Sequence, residues 1–140
     1  MAQTDDKSRS TILVVDDKEA VLALVQTILK NEGFRVLIAK SGRSAVKLAS
    51  EYPDEIDLLL SDIEMPGMTG PQLGIDLKKS RPDMHVMLMS GLPGGDLLVL
   101  NYGWAFIQKP FIVAKLVAMV SAVLQNPNRS QGNYGYDTTK

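Results

Sequence analysis

Apolar residues fall along this chain in two alternating rhythms. Short runs with little or no polar interruption recur at Ile12-Leu13-Val14-Val15, Ile56-Asp57-Leu58-Leu59-Leu60-Ser61, Val86-Met87-Leu88-Met89 and Ala105-Phe106-Ile107-Gln108. Runs of this kind read as strands buried on both faces, as in parallel sheets. Arg35 to Ala39 adds a fifth short strand. Between the runs the spacing turns helical. Over residues 18–32, Val21, Leu24, Val25, Ile28 and Leu29 share one face, and Gly33 is the stop. Ser41 caps a helix through Ser50 whose Ala45, Val46, Leu48 and Ala49 pack inward. Pro53 breaks the chain, and Glu64 to Gly70 reads as a loop. Pro71 opens a helix ending near Lys79, and Val113 to Gln125 forms the last one. After Ser90 the run Gly91-Leu92-Pro93-Gly94-Gly95 is a poor helix start, so Asp96 to Asn101 has room for only a turn or two. Strand and helix in alternation imply right-handed crossovers and a parallel sheet. The expected organisation is a flexible lead-in over 1–10, one domain over 11–125 and a disordered polar tail over 126–140.

Composition narrows the chemistry. The chain has 140 residues, 45% of them hydrophobic, which suits one domain with a real core. A net charge of −1 gives no reason to expect wholesale binding to nucleic acid or an anionic membrane. There is no cysteine, so disulfides, thiolate zinc sites and thiol catalysis are excluded. His85 is the only histidine, which excludes a multi-histidine metal site. No stretch resembles a signal peptide or a membrane span, so a cytoplasmic protein is expected.

Four of the runs end on groups suited to phosphate chemistry: Asp16 and Asp17, Asp62, Ser90, and Lys109. In an open parallel sheet the binding crevice lies beyond the carboxyl ends of the strands, so these groups are expected to meet at one edge. Mg²⁺ takes about six oxygens, several of them water. Two or three carboxylates plus a carbonyl from the loop after Asp62 fit that need. Each group has an ordinary alternative: Asp16 and Asp17 as helix caps, Asp62 and Ser90 as turn residues, Lys109 as a solvated charge. At the end of the central strand, Asp62 is placed to attack phosphorus and form an acyl phosphate. Ser90 would then donate to a phosphoryl oxygen, and Lys109 would pair first with Asp62 and then with the phosphate. The Lys109–Pro110 bond is a candidate cis peptide.

Taken together, these motifs resemble the receiver domain of two-component response regulators. The resemblance covers roughly residues 11–125. It is carried by Val14-Val15-Asp16-Asp17, by Asp62-Ile63-Glu64-Met65-Pro66-Gly67-Met68-Thr69-Gly70, by Met89-Ser90-Gly91 and by Lys109-Pro110-Phe111. It implies a flavodoxin-like, doubly wound α/β fold: five parallel strands in order 2-1-3-4-5 with helices on both faces. It also implies that Asp62 accepts a phosphoryl group from a histidine kinase or histidine phosphotransfer protein. Asp17 and Asp62 would bind Mg²⁺, with Asp16 helping and Glu64 lending its backbone carbonyl. Ser90 and Lys109 would hold phosphoryl oxygens. Ser90 and Phe106 would form the switch, although Phe106 reads equally as a core residue. The positions of Glu64 and Leu92 tune phosphoryl loss in such domains, and here they suggest slow autodephosphorylation.

The chain departs from the pattern in the short stretch between Ser90 and Lys109, where a shortened fourth helix is expected. Similar short versions resemble receivers attached to hybrid histidine kinases. Trp104, beside that stretch, is either an exposed docking anchor or part of the local core. The methionines read as gap-fillers, and Tyr134 and Tyr136 point to nothing specific. The leading reading is a signalling switch rather than an enzyme, a monomer or weak dimer with an unknown output partner. The alternatives are an Mg²⁺-dependent aspartyl-phosphate phosphatase, with Glu64 as its acid/base, and a pseudo-receiver that binds partners constitutively.

Overall fold

The computed structural model describes residues 9–98 and 102–126. Strands β1 (Thr11–Val15), β2 (Arg35–Ala39), β3 (Leu58–Asp62), β4 (His85–Ser90) and β5 (Ala105–Gln108) form one sheet in the order β2-β1-β3-β4-β5. Every strand pair is parallel. The uninterrupted apolar runs require this arrangement, because alternate residues of each strand enter different cores. Ile12 and Val14 join Leu58, Leu60, Met87 and Met89 on one face, under helices α1 (Glu19–Asn31) and α5 (Val113–Gln125). Leu13 and Val15 join Leu59 and Leu88 on the other, under α2 (Gly42–Glu51) and α3 (Gly70–Ser80). The central strands β1 and β3 are buried along their whole length.

Local signals start the helices where the pattern predicts. Ser41 and Ser44 form a reciprocal capping box at α2, and Thr69 and Gln72 form another at α3, with Pro71 in the first turn. Gly70 is required by a close approach: a Cβ there would run into the backbone carbonyl of Asp62. The loop after β3 can therefore fold back against the strand end that carries Asp62.

Two sequence expectations need adjustment, and two open ones are resolved. Strand β3 starts at Leu58, not Ile56, and takes in Asp62. In α1 the buried stripe is Leu22, Val25, Ile28 and Leu29, while Leu24 is 55% exposed. The spacing admits either stripe, and packing onto β1 and β2 selects the one containing Leu22. The expected shortened fourth helix is present as α4, described over Gly95–Leu98, and residues 99–101 lie outside the described residues. Gly94 at φ +84° ends the preceding loop in a backbone region that other residues rarely adopt. Of the two readings of Trp104, the structure supports the local core. Its indole packs on the α2–α3 side of the sheet and stacks on Tyr102, ring centroids 4.5 Å apart. The methionines behave as expected: Met65, Met84, Met87 and Met89 are buried, and Met68 and Met119 pack against the two cores. Most of the expected lead-in (1–8) and tail (127–140, with Tyr134 and Tyr136) lies outside the described residues, as do 99–101. Among the described residues no helix is long and apolar enough to cross a membrane.

Candidate functional site

Sheet register assembles the site. Val15 pairs with Ser61, which sets Asp16 level with Asp62. Asp62 pairs with Met89, so Ser90 stands one step further out on β4. Ser90 pairs with Gln108, so Lys109 stands one step beyond on β5, with its N–H on the Ser90 carbonyl at 2.8 Å. The peptide bond from Lys109 to Pro110 is cis.

Asp16, Asp17 and Asp62 each offer a carboxylate oxygen within 4.8 Å of the others. Asp16 and Asp62 are buried, and Asp17 faces outward. The capping alternative for the acidic pair does not hold. Lys18 is the N-cap of α1 and makes no side-chain cap bond. Asp16 instead accepts the Lys18 N–H at 2.9 Å through Oδ1 and the Lys109 ammonium at 2.9 Å through Oδ2. Lys109 forms the expected ion pair with Asp62, its Nζ 3.5 Å from Oδ1, but makes its closer contact, a hydrogen bond, to Asp16.

That preference leaves Asp62 in an unusual state. It is 2% exposed, and its Oδ1 has no hydrogen-bond partner. A buried carboxylate without a partner is costly when charged. Burial, with repulsion from Asp16 and Glu64, pushes the Asp62 carboxyl up to about 6 despite the attraction of Lys109. Burial works to lower the Lys109 ammonium. The hydrogen bond to Asp16 and the charges of Asp62 and Asp16 outweigh it and raise Lys109 above its usual range, so the amine stays charged. Three carboxylates against one ammonium leave the pocket net negative. The donor set is all hard oxygen, with one buried oxygen unsatisfied, and this fits a divalent cation such as Mg²⁺.

Ser90 is buried, and its hydroxyl points to the Glu64 carboxylate, both of whose oxygens lie 3.1 Å away. Its Oγ accepts the Leu92 N–H at 3.0 Å. The Leu92 side chain is 55% exposed and does not cover the site. Phe106 is partly buried and packs against Gly95, where a Cβ would come within 2.9 Å of the ring. The Glu64–Ser90 and Asp16–Lys109 pairs are the two contacts that sequence reasoning missed. The order of strand ends hinted at the first, since Glu64 follows β3 and Ser90 closes its neighbour β4, but not at the second, since β1 and β5 are separated by two strands.

The family description "Response regulator receiver domain" matches residues 12–121. The chain belongs to this family. Among similar proteins, the sensor kinase CckA of Brucella abortus (strain 2308) is 32% identical over 125 residues, 87% of this chain and 13% of the kinase. The cell cycle response regulator CtrA of Brucella ovis is 26% identical over 125 residues, 87% of this chain and 52% of the regulator. A crystal structure of the receiver domain from the hybrid histidine kinase CckA is 36% identical, with a TM-score of 0.68, covering 83% of this chain and 100% of that one. This receiver therefore spans about half or less of the curated relatives it matches. Its flavodoxin-like sheet order and its position among two-component proteins agree with the fold and family that the strand-end motifs predict.

Proposed function

We propose that Asp62 is the phosphoacceptor of this receiver and that its phosphorylation switches partner binding. The donor is the phosphohistidine of a histidine kinase or histidine phosphotransfer protein, which places the domain in the cytoplasm, where ATP charges such kinases. The observation that carries this reading is the buried Asp62 oxygen left without a hydrogen bond inside a cluster of acids and one lysine. An Asp62 oxygen forms the bond to phosphorus while the P–N bond breaks, its electron pair returning to the imidazole.

Asp16, Asp17 and Asp62, with the Glu64 backbone carbonyl, are the groups that would hold Mg²⁺. Bound there, the ion offsets repulsion between carboxylate and phosphoryl oxygens. Asp16 also holds the Lys109 ammonium within reach of the phosphoryl group. Ser90 supplies a hydroxyl donor from β4. Added charge at this edge is read through the loops that leave it. We read the domain as a switch rather than a turnover enzyme. Glu64, the one acid placed for acid/base work on the loop after Asp62, is committed to Ser90. The output partner is a protein of unassigned identity, with no direct role for nucleic acid or membrane.

Titration with Mg²⁺ and beryllofluoride, an acyl-phosphate mimic, followed by NMR tests the reading. Saturable shifts around Asp62, Ser90 and Lys109 are expected in wild type and absent in Asp62→Asn. A wild type that does not respond overturns the reading in favour of constitutive binding.

A further inference from the structure

Both groups suited to hold a phosphoryl oxygen are already engaged in the resting domain. Lys109 bonds Asp16, and Ser90 bonds the Glu64 carboxylate, with both oxygens at 3.1 Å. A hydroxyl has one proton, so Ser90 cannot serve Glu64 and a phosphoryl oxygen together. The bond is buried at the Ser90 end and charge-assisted at the other, which makes it one of the stronger kinds. The same oxygen receives the Leu92 N–H at 3.0 Å, which ties the position of Ser90 to the loop leading into α4.

We infer that Glu64 is a positioning residue: its carboxylate holds the Ser90 hydroxyl in the resting state, and phosphorylation acts by redirecting that hydrogen bond from Glu64 to a phosphoryl oxygen. The inference rests on the phosphoacceptor reading above. When Ser90 turns to the phosphoryl oxygen, the Leu92 amide must follow Oγ or lose its acceptor. Glu64, half-buried at rest, is released with its charge unpaired. The exchange thus moves two loops, one after β3 and one after β4, through a single hydrogen bond. Plain repulsion between Glu64 and a phosphoryl group would act whether or not Ser90 has a hydroxyl. The latch acts only through that hydroxyl, and this separates the two explanations.

The experiment is a cycle on the full chain: wild type, Glu64→Ala, Ser90→Ala and the double variant, each titrated with beryllofluoride at saturating Mg²⁺. The expected result is that Glu64→Ala tightens binding by roughly tenfold when Ser90 is present and much less in the Ser90→Ala background. Without ligand, the Leu92 amide resonance should move in Glu64→Ala and stay near its wild-type position in Glu64→Gln, whose carbonyl oxygen still accepts. An equal gain in both backgrounds assigns the effect to charge and overturns the latch. An unmoved Leu92 amide in Glu64→Ala overturns it as well. If wild type binds no beryllofluoride, the phosphoacceptor reading fails and the exchange fails with it, while the ligand-free Leu92 resonance still reports on the Glu64–Ser90 bond.

Discussion

Asp62 combines burial, crowding by like charge and a missing hydrogen bond, and each has a measurable consequence. Its carboxyl is pushed from 3.8 to about 6, so the folded protein holds this proton more tightly than the unfolded chain does. The stability this contributes is complete below pH 3.8 and is lost as pH rises through about 6. In magnesium-free buffer at neutral pH, Asp62→Asn is therefore expected to be more stable than wild type, by about 2 kcal/mol. The advantage should shrink in acid, and urea titrations at the two pH values check it. Leu92 gives a second prediction. Its side chain is exposed at rest, so it shields an acyl phosphate only when its loop follows Ser90 inward. Slow loss of the phosphoryl group is expected, with Leu92→Ala speeding hydrolysis several-fold and Glu64→Asn also changing the rate. Unchanged rates in both variants would remove this account.

Among the elements, the segment between β4 and β5 shapes the packing beside it. Just before β5, the Tyr102–Trp104 stack packs against the core on the α2–α3 side of the sheet. Trp104 is accommodated because α3 carries Gly74 opposite it. A Cβ at Gly74 would stand 2.8 Å from Trp104 Cη2 and 3.0 Å from Cζ3. Two effects compete in Gly74→Ala. Helix propensity favours alanine by about 1 kcal/mol. Overpacking against a stacked indole costs about 1–3 kcal/mol. Overpacking should win, leaving a net loss of roughly 1 kcal/mol in urea unfolding. Adding Trp104→Leu should make the pair less destabilising than the sum of the single changes. Additive losses would show that the indole does not restrict Gly74. The same logic explains why Gly95 begins α4, since a Cβ there would press on Phe106 and Ser90 together.

For the whole molecule, the sheet concentrates three carboxylates against one ammonium at a single edge, while net charge over the chain is only −1. A cation bound at that edge should stabilise the entire fold by mass action. At ten times its dissociation constant the gain is roughly 1.4 kcal/mol. The Tm should thus rise with Mg²⁺ at constant ionic strength, and Asp17→Asn should lose most of the rise. An equal rise in both proteins would point to general screening. Much of this architecture was legible in the sequence because it follows from local pattern. Unbroken apolar runs call for strands covered on both faces. Ser41, Pro71 and Gly33 mark helix ends through backbone chemistry that needs no distant partner. Strand ends carrying Asp16, Asp17, Asp62, Ser90 and Lys109 had to meet once the sheet was parallel. The sequence could not decide which of these groups bond to which. Asp16 and Lys109 are 93 positions apart, and Glu64 and Ser90 are 26 apart. Their pairing depends on differences of an ångström or less set by sheet register and loop path. The exposure of Leu24 and the seat of Trp104 on Gly74 were likewise decided by packing between elements. Periodicity determined which elements form and which ends carry chemistry. Only the tertiary structure decided that the resting site leaves an Asp62 oxygen without a hydrogen bond and Ser90 held by Glu64, because hydrogen bonds depend on distance and direction, which a one-dimensional pattern does not contain.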